Sequence, residues 1–158
     1  MDIEQDSEKA ALNQKKSRPI TDEDWAKIAE MMDRPFGIVS LKIDGYKITL
    51  QQENYKRRIF TAIYVDGSIR GEWYYPLEDN KPEAKHEEAR RFWMPRTKRV
   101  HSAKSIKAIQ KFNGKRKAKR CAELKHYYFE PYWKSAKSLR KHLETNNKEI
   151  LVVDISFA

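Results

Sequence analysis

Val39-Ser40-Leu41-Lys42-Ile43-Asp44-Gly45-Tyr46-Lys47-Ile48-Thr49-Leu50 is the stretch that decides the fold. Apolar and polar residues alternate on both sides of Asp44-Gly45, which is the period of a strand with one buried face. An Asp-Gly pair between two such runs marks a two-residue hairpin, because a type I′ turn needs positive φ at both central positions. Pairing Ile43 with Tyr46 across that turn puts Val39, Leu41, Ile43, Tyr46, Ile48 and Leu50 on one face. Turn chemistry and hydrophobic register agree.

The pattern returns at Asp66-Gly67. Pairing Val65 with Ser68 places Phe60, Ala62 and Tyr64 on one face with Ile69, Gly71 and Trp73. Two hairpins joined through Asn54-Tyr55-Lys56-Arg57 predict a four-stranded antiparallel meander over 38–75. In that reading Trp73 and Tyr75 share a face at the end of the last strand, Tyr74 points the other way, and one of the two faces is a candidate exposed aromatic surface.

Working towards the N-terminus, Thr21 is placed to cap a helix, with Asp24 completing a capping box and Ile20 and Trp25 forming a hydrophobic staple. Trp25, Ile28, Ala29 and Met32 recur at helical spacing, and Pro35 ends the run. Residues 1–19 lack periodicity and read as a disordered tail.

Towards the C-terminus, 76–82 (PLEDNKP) reads as a polar loop. A helix follows over 83–93, acidic at its start, basic at its end and stopped by Pro95. Ser102 caps a second helix over 103–112, with Ile106, Ile109 and Phe112 inward and Gly114 as its stop. Truncating Ile109 is accordingly expected to cost as much as a core deletion. Lys115 to Arg120 extend as a further helix through Leu124, and Ser135 caps a last one with Leu139 and Leu143 inward. The run 149–155 (EILVVDI) reads as a buried strand that joins the meander. The expected architecture is α+β: a four- to five-stranded antiparallel sheet, made of two Asp-Gly hairpins plus a C-terminal strand, packed with an N-terminal helix and several basic C-terminal helices. Residues 20–158 form one domain, with helix, meander and helix over 20–93 and a basic helical part and final strand over 96–158.

The chain has 158 residues, enough to bury a core without cross-links, and its single cysteine, Cys121, excludes an internal disulfide. No apolar run approaches the ~18 residues of a membrane span, and the acidic, polar start does not read as a signal peptide. A cytoplasmic location in a reducing compartment is expected. The net charge is +10, and it is unevenly spread. Between Arg90 and His142 lie eighteen Lys or Arg against two acids, Glu123 and Glu130, a local +16 that leaves −6 for the rest. Such asymmetry points to a polyanion-binding face.

Lys104, Lys107 and Lys111 share one helix face, and no acid appears between Glu88 and Glu123, whereas an ordinary wet helix surface mixes Glu with Lys. Together with Arg96, Lys98, Arg99, Lys115, Arg116, Lys117, Lys119 and Arg120 they are candidates to track the phosphates of DNA or RNA. Tyr127, Tyr128, Tyr132 and Trp133 are candidates either to stack on unpaired bases or to fill the core.

Enzyme signatures are mostly absent. No glycine-rich phosphate loop occurs, the four histidines and Cys121 have no zinc-ligand spacing, and no cofactor or metal is expected. Cys121 reads as a small buried residue rather than a nucleophile. His86-Glu87-Glu88 has the residue types of a metal nuclease, but acids at a helix start explain both glutamates. Asp44 and Asp66 read as turn residues, and Asp154 as a solvent-facing strand residue.

Four segments (VSLKIDGYKITLQ, YVDGSIRGEWY, EEARRFWMP and YYFEPYWKSAKSLRKHLETNN) together resemble small accessory proteins of bacteriophages and prophages. The likeness runs over residues 36–155 and consists of fold-like patterns without catalytic motifs, so no functional residue is carried over. It implies a bacterial host cell and a small non-enzymatic protein. The unit over 36–93 is also similar in outline to DNA-binding modules of phage integrases, in fold only. Two classes of function stay open: a nucleic-acid-binding module, and a protein that inhibits or recruits a host protein or ribonucleoprotein complex, such as an anti-CRISPR or other anti-defence protein.

Overall fold

The structure is a computed structural model that describes residues 17–75 and 81–156. The tail expected at 1–19 falls mostly outside those residues, as does most of the loop expected at 76–82. In chain order the elements are β1 (Arg18–Pro19), α1 (Asp22–Met32), β2 (Ile38–Ile43), β3 (Tyr46–Tyr55), β4 (Arg58–Val65), a 3₁₀ turn (Gly71–Trp73), α2 (Glu87–Phe92) and β5 (Met94–Arg99). Then come α3 (Ala103–Asn113), α4 (Lys115–Glu123), β6 (Lys125–Glu130), β7 (Tyr132–Trp133), α5 (Ala136–Asn146) and β8 (Ile150–Ser156). The chain is α+β, with an antiparallel sheet in the order β1-β8-β2-β3-β4-β7 and a separate two-stranded ribbon, β5-β6.

At the first turn Ile43 pairs with Tyr46, Leu41 with Ile48 and Val39 with Leu50. Asp44 and Gly45 have φ of 47° and 89°, the left-handed values a type I′ turn demands. The β3–β4 turn uses the same geometry at Lys56 and Arg57, with φ of 49° and 62° and no glycine. Val39, Leu41, Ile43, Ile48, Leu50, Ile63, Val65 and Val152 are buried on one face of the sheet. α1 and α5 cover that face with Trp25, Ile28, Met31, Leu139 and Leu143, while α2 adds Ala89 and Phe92. β8 lies beside β2, so the C-terminal run closes the core.

The meander has three strands where four were expected. Asp66 and Gly67 do turn with positive φ, but only Val65 and Ser68 bridge across them. Past Ile69 no β-branched run sustains a strand. The chain folds instead into the 3₁₀ turn, which drops Trp73 into the core edge-on against Trp93, with ring centroids 5.5 Å apart. Tyr74 also packs on Trp93, at 4.9 Å, and Tyr75 alone of the three is exposed. The core face of β4 is set by its pairing with β3, Leu50 to Ile63 and Ile48 to Val65. Phe60 and Tyr64 therefore face away from the helices. Phe60 meets Tyr132 there, and the Tyr64 hydroxyl donates to Glu53, which with burial pushes its pKa up to about 12.

Two further boundaries moved. Arg18 and Pro19, expected in the tail, pair with Val152 and Leu151 as a short edge strand, a position where proline is tolerated. The Arg18 guanidinium then grips the buried Asp24 carboxylate at 2.5 and 2.6 Å, while Thr21 completes the capping box. Arg18, more than Thr21, holds the Asp24 carboxyl far below the usual carboxylate range. The helix expected over 83–93 is only α2, since the backbone becomes extended at Trp93 and buries that ring. Pro95 disfavours helix at the preceding residue, Met94, where β5 begins.

Candidate nucleic-acid interface

β5 and β6 pair over their full length, from Met94 with Glu130 to Arg99 with Lys125. Met94 and Phe129 anchor the foot of this ribbon at the core. The far end is closed by Val100 N–H donating to Leu124 O at 3.2 Å, and between those residues lie α3 and α4. Ser102 caps α3 by accepting from Ser105 N–H at 3.1 Å. Gly114, with φ of 89°, ends α3 and starts α4, a backbone shape that side-chain-bearing residues rarely adopt. The segment 94–130 is thus an arm: a two-stranded ribbon that carries a helical hairpin at its tip.

α3 and α4 pack chiefly on each other and supply no residue to the core. The inward face expected for Ile106, Ile109 and Phe112 is therefore corrected. Ile106 and Ile109 are half-buried within the helical hairpin, Phe112 is 79% exposed, and of the two helices only Ala118 is buried. Periodicity alone distinguishes an apolar face but not what covers it. Cys121 is partly exposed, not buried as expected.

Of the 33 Lys and Arg in the chain, twelve lie in the arm, against two of the 23 acids. The arm's net +10 therefore equals that of the whole protein, and the remainder balances at twenty-one of each sign. The body's arginines are largely neutralised in place: Arg18 by Asp24, Arg34 by Glu30, Arg90 by Glu87, Arg91 by Glu87 and Asp44, and Arg140 by Asp22 and Glu144. In the arm, Arg96 pairs with Glu130 at 3.0 Å. Among the described residues no acid pairs with Lys98, Arg99, Lys104, Lys107, Lys111, Lys115, Arg116, Lys117, Lys119 or Arg120, and all ten are exposed. Burial of the arm's surface is slight, so these charges face water and screening ions.

On the ribbon, alternation places Arg96, Lys98, His126 and Tyr128 on one face and Thr97, Arg99, Lys125 and Tyr127 on the other. The stacking candidates are scattered. Tyr127 and Tyr128 are half-buried on opposite faces, and Tyr132 is half-buried against Phe60. Trp133 is withdrawn as a candidate: it is 3% exposed and its indole N–H donates to Phe92 O at 3.1 Å. The pairing of β7 with β4 holds it in the core beneath α5.

Sequence reasoning missed the ribbon. Its signal was present in β6, where Tyr127-Tyr128-Phe129 is a run of strand-favouring aromatics, but β5 offers only Thr97 against four charged or imino residues. Beside the foot of the arm a cleft of about 730 Å³ opens between Phe60, Met94, Tyr132 and Lys134, with Glu53 and Glu130 in its wall. Arg96 and Lys134 line it too, and Arg96 is already paired with Glu130, so the cleft offers a phosphate no excess of positive charge. Among the described residues no cluster of His, Cys, Asp or Glu is placed to hold a metal ion, and no helix is long and apolar enough to cross a membrane. Compared with known proteins, the chain matches no family model, no curated protein and no solved structure.

Proposed function

We propose that this protein binds nucleic acid through the arm. The observation that carries the reading is that the arm's net charge equals that of the whole chain, and that ten of its twelve lysines and arginines pair with no acid among the described residues. A polyanion held there releases counterions from each phosphate it presents, which supplies affinity independent of sequence. A two-stranded ribbon is one of the elements that the major groove of B-form DNA admits, and helices with basic outer faces follow phosphates beside it. No covalent step is assigned to the arm.

The test is the salt dependence of binding to a DNA duplex. Lys107→Ala with Lys111→Ala is expected to weaken binding and to lower the slope of log K against log salt by about two, since each lost phosphate contact removes roughly 0.9. Both residues are exposed, so the thermal midpoint stays nearly where it was. Absence of binding to any nucleic acid at low salt would sink the reading. Should the same pair of substitutions then weaken capture of an acidic protein, the arm's partner is that protein.

A further inference from the structure

Phe112 is the most exposed of the large apolar side chains among the described residues, at 79%. Single exposed apolar residues are common, but this one has unusual surroundings. It lies in the last turn of α3, two residues before Gly114, and the Lys111 ammonium sits 5.7 Å from its ring centroid. Lys115 and Arg116 follow across the turn, and no acid occurs between Glu88 and Glu123. An apolar partner covering the ring would strip water from these cations and give nothing back. A polyanion with a flat aromatic face answers both the ring and the charges.

We infer that Phe112 stacks on an unpaired base of the nucleic acid whose phosphates the arm holds, an inference that rests on the reading of the arm given above. Bases inside a duplex already have both faces covered. A bulge, a loop or a strand end leaves one open, and base–aromatic stacking tolerates any base because each has a π face. The arm thereby distinguishes distorted from regular nucleic acid without reading sequence: the cations bind both, and the ring adds affinity only where a base is unstacked.

The experiment compares, by fluorescence anisotropy, three DNA hairpins whose loop is a base-free glycol linker and whose terminal pair is the same: one fully paired, one with a single bulged adenine, and one with an abasic nucleotide at the bulge. The wild-type protein is expected to bind the bulged hairpin about five- to a hundredfold more tightly than the other two. Phe112→Ala abolishes that preference while keeping its affinity for the paired hairpin and its retention on heparin, and Phe112→Trp restores it. Because the side chain is exposed, the alanine variant keeps the wild-type circular dichroism and midpoint. Equal wild-type affinity for paired and bulged hairpins overturns the stacking and leaves nucleic-acid binding by the arm intact. No binding to any of the three overturns both. Loss of self-association in Phe112→Ala, with the hairpin affinities unchanged, shows the ring to be covered by a second copy and also overturns it.

Discussion

Asp44 shows how far one residue's job exceeds its local motif. Its place before Gly45 calls for a turn, and its φ of 47° fulfils that. Its carboxylate also accepts N–H groups from Lys148 at 2.9 Å and Glu149 at 2.8 Å, and Arg91 at 2.7 Å, so it fastens the α5–β8 connection to the first hairpin. The Lys148 N–H is the main cause that holds the carboxyl below its usual range, with Glu149 and Arg91 adding to it and burial opposing. A carboxyl depressed in the folded state gives stability that is fully present above its unfolded pKa, near 3.9, and is lost as the pH falls through the folded value. Asp44→Asn keeps a residue that tolerates positive φ but removes the charge. It is expected to lower stability by about 2 kcal/mol at neutral pH. The gap to wild type should narrow below about pH 4, as measured by urea unfolding at both pH values.

At the scale of elements, local signals account for ends better than for partners. Thr21, Ser102, Ser135 and Gly114 cap their helices in the structure where the sequence places them, because a cap needs only three or four neighbouring residues. The ribbon needs residues some thirty positions apart, and neither strand identifies the other. Since Arg99 and Lys125 are its last pair, the two ends stand close enough for a two-residue turn. Replacing 100–124 by Asn-Gly is expected to leave the body folded, with a cooperative melt shifted by no more than a few degrees, and to remove most of the salt-dependent binding. Calorimetry and anisotropy check the two halves of that expectation. A body that no longer folds would show the helical hairpin to be part of the core.

For the whole molecule, the sheet order β1-β8-β2-β3-β4-β7 draws both ends of the described chain into one core and leaves the arm outside it except at its foot, Met94 and Phe129. Stability and the proposed binding therefore have different addresses. Leu139→Ala removes a fully buried side chain between α5 and the sheet and is expected to cost about 2–5 kcal/mol in chemical denaturation. Ile109→Ala, expected from periodicity to cost as much, should scarcely change that global transition, because Ile109 is only half-buried and lies outside the core cluster. A large global loss from Ile109→Ala would place the tip of the arm within the cooperative unit.

From the sequence alone follow the first hairpin and its register, the helix caps, the α+β class, the strand at 149–155 and the basic bias of the second half. All of these depend on neighbours in the chain or on composition. The tertiary structure decided that the second Asp-Gly turn launches no strand, because Trp73 is worth more buried against Trp93 than exposed on an edge. It decided that Trp133 belongs to the core and Phe112 to the surface, although both are aromatic residues beside basic ones. It also set the basic segment 94–130 apart from the core as an arm, while pairing most of the body's described arginines with acids. Burial and charge pairing are set by what lies across space, and a helix face or an aromatic run carries no record of its partner.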